Sequence, residues 1–262
     1  MATNNGNKLR RLLALHKANT VCLASWLEAH GISHDLQKYY RRSGWLESVG
    51  HGAYKHSGEQ VEWEGALFAL QEQAGMQVHV GGLTALAKQG SSQYLRFGKE
   101  SVYLYSPLGV KLPVWFKNHD WGVKIRHIKT GFLPEGTGVG EVIRMGFSSP
   151  ASPFNLKISD PERAIMECLY LTPKDQSLVE AYEIMEGLVN LRPKMVQNLL
   201  EGCNSIKVKR LFLYMAEKAG HKWLQFVDRK KVSLGQGDRS IVPNGVYVSK
   251  HRISIPKELV AI

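Results

Sequence analysis

VCLASWLEAHGISHDLQKYYRRSGWLESVGHGAYKHSG, residues 21–58, is the stretch on which the reading of the whole chain turns. Its first part carries Leu23, Trp26 and Leu27 at helical spacing and stops at Gly31, since a residue without Cβ readily takes the left-handed conformation that closes a helix. Ser33 then stands as the N-cap of a further helix, in which Leu36 and Tyr40, with Tyr39 as a third candidate, face inward while Gln37, Lys38, Arg41 and Arg42 face out. Gly44 ends that helix. Trp45, Leu46, Val49 and Tyr54 alternate with polar residues around Gly50-His51-Gly52, as two short strands joined by a glycine turn would. Upstream, Leu9, Leu12, Leu13 and His16 repeat at helical spacing before a break at Ala18-Asn19-Thr20. Three short helices followed by a hairpin is the order of a winged helix-turn-helix.

The side chains fit that order. A recognition helix sets long hydrogen-bonding side chains into the major groove, where Arg pairs with guanine and Gln with adenine. Ser33, His34, Gln37, Lys38 and Arg41 fill those positions, Arg42 suits a phosphate contact, and His51 and Lys55 are the wing's candidates for the backbone or minor groove. The same helices would also serve a protein-binding adaptor in which Arg41 and Arg42 are merely solvated.

Beyond residue 57 the grammar changes twice. Residues 57–62 (SGEQVE) read as a linker, WEGALFALQEQAG as a helix, and VHVGGLTALAKQG as strand, turn and short helix. Strands are expected at SVYLYS, KLPVWF, VKIRHI and EVIRMGF, and their irregular spacing favours an antiparallel or mixed sheet over a βαβ repeat. From Asp160, an N-cap before Pro161, helices take over. In SIKVKRLFLYMAEKAG the buried stripe is Val208, Leu211, Phe212 and Met215, with Lys207, Arg210 and Lys218 on the exposed side. The expected class is α+β: a winged helix-turn-helix over 1–57 and a mixed α/β domain over 58–262, its sheet flanked by helices. Within that domain 63–158 is sheet-rich, 160–220 helical and 221–257 basic and strand-rich.

Charge sharpens the division. The chain has 262 residues and a net charge of +11. Residues 1–57 hold eight bases against three acids, a net +5, and residues 205–252 hold eleven against three, a net +8, while the stretch between is nearly neutral. Two basic blocks point to two surfaces for anionic partners. A hydrophobic share of 44% excludes a disordered tail protein. Cys22, Cys168 and Cys203 are far apart and form no C-x-x-C pair, which suits reduced thiols in the cytoplasm. No secretion signal or membrane span is read.

Catalysis finds little support in the residues. A metal-dependent nuclease, the runner-up reading beside an RNA-binding module, needs an acid and an acid-x-Lys pair near one strand. Glu100, Asp120 and Glu141 lie near strands without that spacing, and His79, His119 and His127 are scattered. Neither G-x-S-x-G nor H-E-x-x-H occurs. Gly81-Gly82 before a helix start could cradle a phosphate, but close packing is the better reading of it. Asp160, Glu162, Arg163 and Glu167 are explained by capping and same-helix ion pairs. No metal, cofactor or catalytic residue is expected.

Over nearly its whole length the chain resembles the AbiEi antitoxins, the transcriptional-regulator half of type IV AbiE toxin-antitoxin systems of abortive phage infection. The residues that carry this are WLESVGHGAYKHSG, EGALFALQ, VHVGGLTALAKQG, KLPVWF, SDPERAIMECLYL, IKVKRLFLYMAEKAGHKWL and SLGQGDRSIVPNGVY, in that order. The resemblance implies an autorepressor bound to repeated operator sites at its own promoter. It also implies a C-terminal domain that neutralises an AbiEii-type nucleotidyltransferase toxin without a stable complex. It gives the DNA contacts to Ser33, His34, Gln37, Lys38, Arg41 and Arg42 with His51 and Lys55 in the wing, and the antitoxin surface to the domain holding Lys207, Lys209, Arg210 and Arg239.

Overall fold

The computed structural model describes residues 2–90, 101–146 and 149–261. In chain order its elements are α1 (Ala2–Leu15), β1 (Cys22–Leu23), α2 (Ala24–Ala29), α3 (His34–Arg42), β2 (Leu46–Gly50), β3 (Ala53–His56), α4 (Trp63–Phe68), β4 (His79–Val80), α5 (Gly82–Lys88), β5 (Ser101–Ser106) and α6 (Val114–Asn118). There follow β6 (Lys124–Lys129), β7 (Val139–Gly146), β8 (Ser149–Ser159), α7 (Pro161–Leu171), α8 (Leu178–Gly187), α9 (Pro193–Gly202), α10 (Ile206–Lys218), β9 (Arg239–Ser240), β10 (Val246–Val248), β11 (Ile253–Ile255) and α11 (Lys257–Ala261). The chain forms two compact units. One comprises Met1–His79, Gly109–Ile125 and Glu141–Lys157, the other Val80–Leu108, Arg126–Gly140 and Ile158–Ile262.

In the first unit α1, α2, α3 and a three-stranded sheet of order β1-β3-β2 make the winged helix. Cys22 and Leu23, read as the start of a helix, instead pair antiparallel with Tyr54 and Ala53 as the wing's third strand. Gly31 and Gly44 take left-handed φ values of 82° and 76°, and both helices end there as the sequence predicts. Leu12, Cys22, Leu27, Ile32, Leu36, Tyr40, Leu46 and Tyr54 close one apolar core. The supposed linker is bonded back to this unit: Glu59 Oε2 accepts from His16 Nε2 at 2.8 Å and from the Asn19 amide at 3.0 Å. Gln73 reaches Val21 and Leu23 in the same way, donating to one carbonyl and accepting from the other residue's amide. KLPVWF is no strand. Helix α6 begins after Pro113, and Trp115 and Phe116 are buried together rather than on alternate faces.

In the second unit α7 is nearly enclosed, with every residue from Glu162 to Leu169 buried. Val80 of β4 and Ile158 at the end of β8 pair in parallel there. Strand β8, which spans the prolines 150 and 153, was not expected. Phe147 and Glu100 lie outside the described residues. The C-terminal part carries a small sheet of order β10-β11-β9, antiparallel on one side of β11 and parallel on the other. Gly81 and Gly82 prove to be packing residues. A Cβ on Gly81 would stand 2.3 Å from Glu167 Oε2 and 2.5 Å from the Tyr105 ring, so this glycine pair makes room for a buried carboxylate instead of a phosphate.

Candidate nucleic-acid interface

Helix α3 is strongly amphipathic because its inward stripe follows helical spacing from Leu36 through Gln37 to Tyr40. The inclusion of Gln37 corrects the sequence reading. Its side chain is 1% exposed, and Nε2 donates to the carbonyls of Ala24 at 3.0 Å and Ile32 at 2.8 Å. It therefore ties α3 to the start of α2 and to the intervening turn, and no base edge can reach it. One step after Leu36 and three before Tyr40, Gln37 belongs geometrically to the inward face; only its polarity suggested otherwise. Replacing Gln37 with Ala is expected to cost about 1–3 kcal/mol of stability by stranding two buried carbonyls. Urea denaturation of the variant checks this, and an unchanged midpoint would refute the tethering role.

The outward face of α3 consists of Ser33, His34, Asp35, Lys38, Tyr39, Arg41 and Arg42. Tyr39, a candidate for the inward stripe, is instead 56% exposed and joins the contact candidates. Ser33 occupies the N-cap position without a side-chain cap, and its hydroxyl stays on the exposed surface. Arg41 lies over the Tyr54 ring at 5.5 Å, a cation–π contact that steadies the side chain without covering it. Asp35 sits in the first turn, where the helix dipole favours an acid.

The wing divides its two candidates. His51 is exposed at the turn. Lys55 is taken up internally, with Nζ 3.1 Å from Glu47 Oε2 and donating to the Glu59 carbonyl at 2.8 Å, so the phosphate role given to it is corrected to buttressing the wing. Glu47 accepts from the Ser57 hydroxyl at 2.7 Å and from the Gly58 amide. Those bonds and Lys55 hold its carboxyl down at about 2, keeping it ionised.

A thiol, an imidazole and a carboxylate do align in this unit: Cys22 Sγ is 3.3 Å from His16 Nδ1, and His16 Nε2 faces Glu59. Cys22 is 1% exposed, however, and burial followed by the Glu59 charge pushes its thiol up to about 12. An inert, enclosed thiol is no nucleophile. Asp120 accepts from the Gly122 amide and Glu141 from Asn155. Among the described residues no three His, Cys, Asp or Glu side chains could hold a metal ion.

Three of the four candidates named in the second basic block are engaged inside the fold, although Lys222, Lys230, Lys231, Lys250 and Arg252 of that block are exposed. Lys207 Nζ donates to the carbonyls of Tyr170 at 2.8 Å and Thr172 at 2.5 Å, closing the C-terminal end of α7, and burial pushes its pKa down. Lys209 is buried. Arg210, 1% exposed, spreads its guanidinium over four carbonyls: Nε to Leu234, Nη1 to Gly237 and Arg252, and Nη2 to Gly235. Only Arg239 of the four named candidates stands exposed. The expected exposed face of α10 fails because that helix is covered on every side from Val208 to Ala216.

Two family models together cover the chain. One, described as the AbiEi antitoxin N-terminal domain of a transcriptional regulator, matches residues 5–97. The other, a transcriptional regulator and AbiEi antitoxin of a type IV toxin-antitoxin system, matches residues 99–256. The chain has no match among curated proteins. The crystal structure of the RV2827C protein from Mycobacterium tuberculosis is similar with a TM-score of 0.56 at 13% identity, over 89% of this chain and 85% of that one, which shows a shared fold. No helix among the described residues is long and apolar enough to cross a membrane.

Proposed function

Since the chain belongs to the AbiEi antitoxin family of type IV toxin-antitoxin transcriptional regulators, we propose that it represses its own operon by binding operator DNA through α3. It acts in the cytoplasm, without catalysis and without a cofactor. Ser33, His34, Lys38 and Arg41 read base edges, and Arg42 and His51 hold phosphates. The observation that carries this reading is the composition of the α3 outer face, where three bases and a histidine stand against the single acid Asp35. The C-terminal part neutralises a nucleotidyltransferase toxin, with Arg239 as the exposed cation of the former candidate set.

The test uses the full chain with Lys38→Ala and Arg41→Ala, each assayed by gel shift on its own promoter. Losing one bidentate base contact is expected to weaken specific binding by about 1–3 kcal/mol, roughly 5- to 150-fold. The melting profile should not change. In cells the double variant should lose repression and still rescue growth from the toxin. Sequence-selective binding that survives the double substitution would remove α3 from the recognition role. Metal-dependent cleavage of DNA or RNA by the purified protein would instead revive the nuclease reading.

A further inference from the structure

Residues 109–125 lie far from the winged helix in sequence, yet they belong to the same compact unit. Helix α6 is seated on β2 beside the wing turn. A Cβ built on Gly50 would stand 2.6 Å from Trp115 Cβ and 3.2 Å from its Cα, so a glycine is needed there to let the two backbones approach. The segment is held by its own aromatic side chains. Trp115, Phe116 and Trp121 form an aromatic cluster with ring centroids 5.6–6.5 Å apart, His119 packs against Trp121 with centroids 4.2 Å apart and rings tilted by 47°, and the Trp121 indole donates to the Phe116 carbonyl at 2.8 Å.

This cluster holds out an exposed polar edge of Lys117, Asn118 and His119, next in sequence to the Trp115 that touches the wing. Lys55, the wing's own lysine, is engaged internally by Glu47 and Glu59. The Lys117 ammonium has no hydrogen bond or ion pair to any described residue. The one acid of the edge, Asp120, accepts from the Gly122 amide.

We propose that α6 enlarges the wing and that Lys117 binds a phosphate of operator DNA flanking the stretch read by α3, taking the backbone-anchoring role that Lys55 does not fill. The inference rests on the operator-binding reading, which it deepens by adding a contact from a remote segment. A cation held on a packed aromatic base supplies affinity and register without sequence preference.

The experiment titrates full-length protein, with Lys117→Ala and Arg41→Ala beside it, against promoter fragments with and without flanking duplex over a range of salt. Lys117→Ala is expected to reduce the magnitude of the slope of log K against log salt by about 1, and its affinity at low salt about three- to tenfold, on the flanked fragment alone. Its preference among operator sequences should match that of the wild type. Arg41→Ala should weaken binding to both fragments. If Lys117→Ala binds like the wild type while Arg41→Ala is impaired, the α6 contact is overturned and the recognition reading stands. If neither variant differs from the wild type, the recognition reading falls and this inference with it.

Discussion

An Arg210→Met variant is expected to lose about 3–5 kcal/mol of stability, against the 5–15 kcal/mol that holds a typical domain together. The guanidinium is enclosed and serves the carbonyls of Leu234, Gly235, Gly237 and Arg252. Glycines 235 and 237 have left-handed φ values of 64° and 72°. This turn has its carbonyls drawn inward to one side chain, so methionine would fill the volume and take the donor from Leu234, Gly235 and Gly237, while the Arg252 carbonyl would keep only the Arg239 amide. The neighbouring bonds, Arg239 amide to Arg252 carbonyl at 3.0 Å and Ile241 amide to Ser254 carbonyl at 2.9 Å, define the β9–β11 edge. Their protection from hydrogen exchange should fall with the urea midpoint. Arg210→Lys, with three donors on one nitrogen for four acceptors, should lie between. Wild-type stability in the methionine variant would show that Arg210 does not organise the turn.

That substitution also shows where reading the sequence stops. The charge block at 205–252 is a sound count and most of its bases after residue 220 are exposed, but Lys209 and Arg210 of α10 do not reach solvent. Arg210 falls between Val208 and Phe212 on a stretch of helix that the fold covers on every side, and a cation paid for by backbone carbonyls leaves no acidic partner for the sequence to reveal. Gln37 misleads for a related reason, because its partners are the carbonyls of Ala24 and Ile32, which no composition displays. The winged helix itself was legible, since Gly31 and Gly44 are needed where they stand and the apolar spacing of α3 is local. KLPVWF was not: Leu112, Val114 and Phe116 alternate as in a strand, and packing of Trp115 on Gly50 decides for a helix. Strand β8 was hidden by prolines 150 and 153, which argue against a strand in isolation.

Glu167→Ala is expected to destabilise the second unit by about 3–5 kcal/mol, because removing one side of a buried ion pair leaves the other charge uncompensated. Glu167 is 0% exposed. Its Oε1 accepts from Arg163 Nε at 2.9 Å, and its Oε2 from the Gly82 amide and the Ser159 hydroxyl, each at 2.9 Å. Arg163 also donates to the carbonyls of Pro134 and Thr137, so its orientation depends on the same pair. The carboxylate thus joins the start of α5, the end of β8 and the body of α7 at one point. Glu167→Gln separates charge from shape. The amide oxygen can serve Gly82 and Ser159, but the amide nitrogen then meets Arg163 Nε donor to donor, and reversing the amide meets the same conflict at Gly82. Glutamine should therefore also destabilise clearly, at roughly 2 kcal/mol or more from the donor left unpaired and the charge left bare. Gly81→Ala, whose Cβ would collide with Oε2, should strain the same point from the other side. Thermal and urea unfolding of the three variants tests the set. Wild-type stability in Glu167→Gln would mean that an ionised carboxylate is not what holds α5 to α7, and the junction would have to be assigned to uncharged hydrogen bonds and apolar packing.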